Sequence, residues 1–348
     1  CDPKTQLAQL ALFALLVAFS SATQDIVIDA YRIESAPERL QAAMAASYMT
    51  GYRLAMIMAG AGALALAAWL GSNNGYDYRG WQLTYLLMGG LMSLGILTTL
   101  MSHEPQIDLK SQDEQQMARK ATLLARGWSP TLAGLGAWTY EAIWCPFADF
   151  FRRYGSSALL ILGLIACYRI SDVVMGVMSN SFYVDLQFSK TEVATITKVY
   201  GVIMTLVGAA LGGVLVMRFG TLRILFLGAV LTASTNLLFA LLNEVGHNLE
   251  LLTLIISLDN LSAGIATAAF VTYLSSLTNV AFSATQYALF SSIMLLLPKL
   301  LAGFSGRVVE QIGYSHFFIG TSLLGIPVMI LIIMVAKRGS TLSPQTHK

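Results

Sequence analysis

Residues 7–32 read Leu7-Ala8-Gln9-Leu10-Ala11-Leu12-Phe13-Ala14-Leu15-Leu16-Val17-Ala18-Phe19-Ser20-Ser21-Ala22-Thr23-Gln24-Asp25-Ile26-Val27-Ile28-Asp29-Ala30-Tyr31-Arg32. No glycine or proline interrupts this run, and its first half is almost wholly apolar. A helix needs about 20 mostly apolar residues to cross a bilayer, so the run spans a membrane. Its second half carries two carboxylates, and a charge near the bilayer centre costs at least ~2.5–3.5 kcal/mol on insertion scales. Asp25 and Asp29 are four residues apart and share one helix face. That face needs a partner or a watery cavity.

Eight more stretches pass the same length test, giving nine spans at roughly 7–30, 41–70, 81–102, 157–184, 193–217, 222–242, 249–274, 284–306 and 314–336. Their length and their richness in Leu, Ala, Met and Gly fit helices, whereas barrel strands are short and alternating. The whole chain of 348 residues agrees: 56% are hydrophobic and only 11% charged, with a mean hydropathy of +0.65. Soluble chains carry about 25% charged residues, so a water-soluble enzyme or binding domain is excluded. A net charge of +2 leaves no basic footprint for nucleic acid. Cys1, Cys145 and Cys167 form no CxxC, and the four histidines are scattered, so neither a metal nor a cofactor is expected. No HExxH and no phosphate-binding loop occur, and no span places a histidine for acyl transfer. The chain reads as a transporter driven by an ion gradient rather than an enzyme.

The only long polar stretch, 103–156, reads as a cytoplasmic linker. It separates three spans in 1–102, the remainder of an amino-terminal bundle, from a six-helix bundle in 157–338, with a tail at 339–348. Within the linker, Leu132 to Phe151 reads as an interfacial helix with Trp138, Trp144 and Phe147 at headgroup level. Lysine and arginine set the orientation. With the first residue outside, the inner side holds Arg32, Arg39, Lys110, Arg119, Lys120, Arg126, Arg152, Arg153, Arg218, Arg223, Lys337, Arg338 and Lys348. The outer side holds Lys4, Arg79, Lys190 and Arg307. On this reading Lys110 and Lys337 face the cytoplasm and Asn74 the opposite side. The start at Cys1 and the three-plus-six division lead us to expect about three further spans before the first.

Eight ionisable side chains fall inside spans: Asp25, Asp29, Asp172 and Asp259 against Arg53, Arg169, Lys198 and Lys299. Two nearby carboxylates in a low-dielectric cavity suit a reversible proton carrier, which makes Asp25 and Asp29 the proton-coupling candidates. An Asp29–Arg32 salt bridge locking the helix end is the competing structural reading. Arg53 is placed to pair with Asp25 or to hold an anionic substrate, and Arg169 and Asp172, three apart, to pair with each other. Gln24, Tyr52, Tyr168, Asn180, Asn260 and Gln286 add hydrogen-bonding groups for sugars, and Lys198 and Lys299 add cations for acids. Asp172 and Asp259 are substrate-binding candidates as well, with pairing of Asp259 to Lys299 as the structural alternative. Together these groups indicate a polar central cavity.

Gly212-Gly213-Val214-Leu215-Val216-Met217-Arg218-Phe219-Gly220-Thr221-Leu222-Arg223 resembles the short cytoplasmic loop of the major facilitator superfamily between its eighth and ninth helices, with Met217 where an acid is usual. Gly80-Trp81-Gln82-Leu83-Thr84-Tyr85-Leu86 weakly echoes Gly313-Tyr314-Ser315-His316-Phe317-Phe318-Ile319, as parallel repeats would. The nine spans then correspond to helices 4–12. More specifically, Ser21 to Arg32, Gly51-Tyr52-Arg53-Leu54 and Phe282-Ser283-Ala284-Thr285-Gln286-Tyr287-Ala288-Leu289 resemble segments of the AmpG muropeptide permeases, and more distantly the acetyl-CoA transporters. The resemblance implies an all-α, multi-pass protein of the bacterial inner membrane. It further implies import of anhydro-muropeptides (N-acetylglucosaminyl-anhydro-N-acetylmuramyl peptides) from periplasm to cytoplasm, in symport with protons, for cell-wall recycling. The alternatives are a non-transporting fragment or membrane interaction protein, and a transporter of another peptide, sugar or acetyl-CoA-like substrate.

Overall fold

A computed structural model describes residues 5–71, 77–105 and 110–339. Nine helical segments among them are long and apolar enough to cross a membrane. The first three spans are α1 (Leu7–Glu34), α2 (Gln41–Leu70) and α3 (Tyr78–Met101). The stretch that follows folds as three shorter helices: α4 (Lys110–Ala125), α5 (Pro130–Thr139) and α6 (Cys145–Tyr154). The fourth span is α7 (Ala158–Cys167) followed by α8 (Ile170–Asp185). Then come α9 (Thr195–Phe219), α10 (Thr221–Val245) and α11 (Leu249–Leu277). The chain ends with α12 (Ser283–Ala302), α13 (Ser305–Leu323) and α14 (Gly325–Gly339). Among the described residues there is no strand. Bilayer chemistry leaves few other options, because an unpaired backbone group in lipid costs several kcal/mol.

Local sequence explains the ends. Ser129 accepts a hydrogen bond from the Leu132 amide, and Pro130 opens α5, so the helix starts after the glycine turn at 127. Asn248 caps α11 by accepting from the Leu251 amide. Ser189 and Glu192 cap each other reciprocally ahead of α9: the Ser189 amide donates to the Glu192 carboxylate at 2.7 Å, and the Glu192 amide to the Ser189 hydroxyl at 3.2 Å. The sequence expectation of a loop between 306 and 314 is corrected. The eighth span ends at Ala302, a turn at 303–304 follows, and the chain is helical again from Ser305, with a kink at the single non-helical residue Gly313 (φ 75°, ψ 169°) inside α13. The aromatic stretch 132–151 is helical as expected, and it continues through a short turn, Gly155–Ser157, into the fourth span.

The packed centre is α11, flanked by α9 and α10, with α2 lying across α9 and α11. Small residues allow this. A Cβ on Gly208 would run into the Leu261 carbonyl, and one on Gly264 into the Thr205 carbonyl. Backbones that close exchange side-chain volume for direct helix contact, which holds membrane helices together where burial gives no drive. α12 packs on both α7 and α8, and α1 rests on α12. α3 packs on the end of α2, where Gly71 and Gly80 meet backbone to backbone. Asn74 and the tail at 340–348 lie outside the described residues.

Candidate functional site

The second half of α1 and the facing side of α12 line an open cavity of about 800 Å³, walled also by α2 and α11. Asp25 and Asp29 enter from α1, Tyr48 and Tyr52 from α2, Arg169 from the fourth span, and Tyr287 and Lys299 from α12. That is room for a ligand well above single-sugar size, within the usual range for small-molecule sites. Its walls combine two acids, two cations and three aromatic rings. Such a set can bind a zwitterionic, partly sugar-like molecule: aromatic faces for rings, fork-shaped and ammonium donors for carboxylates, carboxylates for amines or protons.

One end of the cavity is closed. Arg32, 3% exposed, lies just beneath Asp29, Tyr48 and Tyr287. It contacts Asp29 at 3.5 Å and donates to the Ser275 hydroxyl at 2.8 Å, which ties the end of α1 to the end of α11. Its guanidinium also stands 5.7 Å from the Tyr48 ring and 5.1 Å from the Tyr287 ring, both favourable cation–π positions. Its Nε is buried without a hydrogen-bond partner. Glu34 accepts from the Ser283 hydroxyl beside it. At the other end Ala22, Leu296, Lys299 and Leu300 are exposed.

The fourth span breaks beside this cavity. Tyr168 and Arg169 leave the helix, with Arg169 at φ −95°, ψ 7°, and the helix resumes at Ile170. Tyr168 is fixed there: its ring stacks on Phe270 at 4.4 Å between centroids, and its hydroxyl donates to the Leu225 carbonyl at 3.2 Å. Gly228 makes room, since a Cβ there would come within 2.8 Å of that hydroxyl. Arg169 and Asp172 pair at 2.8 Å, the contact expected from their spacing. Behind the pair a small void of about 20 Å³ is large enough to hold about one water molecule.

The structure brings Asp25, Asp29, Tyr52 and Lys299 around one cavity and places the other sequence candidates elsewhere. Gln24 and Asn180 are exposed. Arg53 is half-buried, its Nε has no hydrogen-bond partner, and among the described residues it forms no ion pair with Asp25. Asp259 accepts from Thr235 at 3.0 Å and is not paired with Lys299. Asn260 joins Thr205 and the Ile256 carbonyl within the α9–α11 contact. The Lys198 side chain lies outside the described residues. Gln286 is buried in a different network, donating to the Pro146 carbonyl and Asp149, and accepting from Arg153 at 3.0 Å and the Asn279 amide at 2.8 Å. This network fastens α6 to the α11–α12 turn.

No family profile matches the chain. A protein of Rickettsia felis named putative transporter AmpG 4 is 30% identical over 97% of this chain and 75% of its own length. The chain belongs to the AmpG family. The anhydromuropeptide permease of Escherichia coli K12, 31% identical over 96% of the chain, is also similar, and the chain spans 61% of its length. Among solved structures, the proton:xylose symporter XylE superposes with a TM-score of 0.56 at 15% identity, covering 88% of this chain and 66% of that one. The fold is that of the major facilitator superfamily. This AmpG-family chain is an all-α, multi-pass membrane protein.

Three residues that line the cavity, Tyr48, Arg169 and Tyr287, and Arg32 just beneath it are not among the binding candidates that the sequence offers: Tyr287 stands there only within a family-like segment, Arg32 as a helix-end lock and Arg169 as a partner of Asp172. The signal was present for Arg32 and Tyr48: a cation at the foot of one span and an aromatic at the head of the next, joined by a short connection. Ser275, 243 residues away from Arg32, left none.

Proposed function

We propose that the chain carries anhydro-muropeptides through the bacterial inner membrane from periplasm to cytoplasm, in symport with protons. The observation that carries this reading is the cavity, whose acids, cations and aromatic rings face one space that is closed at the α1–α11 end. The named substrate of the similar E. coli permease supports it, since an anhydro-muropeptide offers sugar faces, carboxylates and amines to those groups. Asp25 and Asp29 carry the proton, Arg169 and Lys299 take the substrate's carboxylates, and Tyr48, Tyr52 and Tyr287 face its sugars. Residues 1–102 and 157–338 work as two halves that rock about this site, and 103–156 is the cytoplasmic linker. With the closed end at the cytoplasm, Lys337 also faces inward.

Uptake of labelled anhydro-muropeptide in competition with its free disaccharide and its free peptide tests the proposal. Both fragments compete if the two sets of groups act as assigned. If short peptides compete and the disaccharide does not, a peptide transporter is the better reading. Lys299→Gln then weakens peptide-bearing substrates more than the bare sugar.

A further inference from the structure

α4 and α5 form an antiparallel hairpin whose outer face carries a groove of about 480 Å³, apart from the transport cavity. Trp128, Leu132, Leu135, Tyr140, Ile143 and Trp144 wall it. Trp128, Leu132, Leu135, Ile143 and Trp144 are between 48% and 59% exposed, so nothing in the fold covers the groove. Gly136 forms its floor: the Trp128 ring lies 3.4 Å from where a Cβ would stand.

The groove has a charged rim. The Arg119 guanidinium sits 3.3 Å from the centroid of the Tyr140 ring. The Lys120 ammonium lies beside Gly134 in the middle of α5. Among the described residues neither cation has an ion pair. From Glu114 to Glu141 the sequence contains Arg119, Lys120 and Arg126 and no acid in between. The helical stretch that carries the groove runs on through α6 into the fourth membrane span, so the groove stands next to the lipid phase.

An apolar trough, aromatic walls and an unpaired cation at the rim, continuous with a membrane span, match one chemistry. We propose that this groove binds an anionic phospholipid, with an acyl chain along Leu132, Leu135 and Ile143 and the phosphate on Arg119 and Lys120. Tryptophan and tyrosine belong at this depth because their rings are apolar and their N–H and O–H groups reach water. Guanidinium is suited to phosphate because its planar fork can donate two bonds at once. The hairpin is then anchored at the bilayer surface, and through Gln286 with Asp149 and Arg153 that anchor reaches the α11–α12 turn. This proposal stands independently of the cavity's substrate and of which leaflet the hairpin faces.

The test uses the full chain in lipid nanodiscs, with Trp69, Trp81 and Trp138 replaced by Phe so that Trp128 and Trp144 report. Nanodiscs are doped with phosphatidylglycerol or phosphatidylcholine, each brominated on its acyl chains. Brominated phosphatidylglycerol should quench at a mole fraction at least about fivefold lower than brominated phosphatidylcholine, since each of the two basic contacts is worth about fivefold at a membrane surface. Arg119→Gln with Lys120→Gln should remove the preference, and so should Leu135→Glu, an exposed position where an acid is tolerated by the fold. Native mass spectra of the unaltered chain should retain phosphatidylglycerol, and spectra of Leu135→Glu should not, which covers failure of the Trp-reduced protein to fold. Equal quenching by both lipids would leave only a headgroup-blind belt and overturn the proposal. So would an intact preference in the double variant. Absence of quenching by either lipid would mean that protein, not lipid, covers the groove.

Discussion

The first three spans and the last six are equally apolar but differently packed. None of the eighteen residues in the most apolar window of α1 is buried, and only 6% in those of α2 and α3, against 56% in α11 and 50% in α10. In water the first set would be unstable. In a bilayer lipid tails are as apolar as leucine, so the exposed leucines of α1 lose nothing by remaining outside. What separates the regions is close approach: Gly208, Gly212 and Gly264 weld α9 to α11, while Gly89, Gly90 and Gly95 on α3 meet nothing. α1 instead holds its place by a few polar contacts at its foot and by resting on α12. The cavity of the proposed function lies in the seam between the two regions.

The largest effect should come from the loosely packed side. Asp29→Asn, and likewise Asp25→Asn, should reduce gradient-driven muropeptide uptake to background without changing the amount of folded protein in the membrane. Undiminished uptake across pH in either variant would remove that acid from the mechanism.

Next in size is the foot of α1. Arg32→Ala leaves Asp29 without its cation in a largely buried position, a loss of about 3–5 kcal/mol for a broken buried pair. Thermal unfolding in detergent measures it. Ser275→Ala keeps the Asp29–Arg32 pair and removes only the tie to α11. It should leave the melting temperature nearly unchanged yet make a cysteine placed at Ala22 reactive to an impermeant thiol reagent from the closed side. Unchanged labelling from that side would mean that Arg32 braces the helix and does not gate the cavity.

The welded glycines follow. Gly264→Ala should destabilise by about 1–3 kcal/mol, the usual effect of overpacking. Gly90→Ala, on open surface, should be neutral or raise stability by about 0.5–1 kcal/mol through helix propensity. Similar losses at both sites would erase the contrast drawn between the regions.

The smallest effect is at the exposed capping pair before α9. The Ser189 amide, then the Ser189 hydroxyl and lastly His247 hold the Glu192 carboxyl below its usual range. A carboxyl whose folded pKa is depressed contributes fully above its unfolded value, about 4.3, and less as pH falls through the folded one. Stability should therefore decline slightly on acidification below that value, and Glu192→Gln should flatten the decline. Being exposed, the pair should also weaken in high salt.

How much of this was legible depends on distance along the chain. The spans were readable because each is a local run of apolar residues, and the Arg169–Asp172 pair because three residues of helix bring its members together. Asp25, Asp29, Tyr52 and Lys299 drew attention as polar groups in apolar helices, where an uncompensated charge is too costly to be incidental. Gln286 carried the same signal, but its partners Asp149 and Arg153 come from the linker, 137 and 133 residues away, and no periodicity reports such a contact. The helical continuation past 306 was hidden by Arg307 and Glu310, which read as loop although a helix emerging from the membrane carries them as easily. The break at Tyr168–Arg169 left no proline or glycine to announce it. Its cause is tertiary: the Tyr168 ring is held by Phe270 and its hydroxyl by Leu225.

That break also works as a clock. Among the described residues, the Arg169 and Asp172 amides make no backbone bond to the preceding turn, although the bonds on either side, Tyr168 to Leu164 and Val173 to Arg169, are intact. Most amides at this depth are shielded from deuterium by both lipid and helix. Arg169 lines the cavity and Asp172 the small void behind it, so isotope reaches these amides from the cavity side while it is wet. Their exchange rate would thus record the fraction of time the protein spends open to water, read from two backbone positions with no substrate and no label attached.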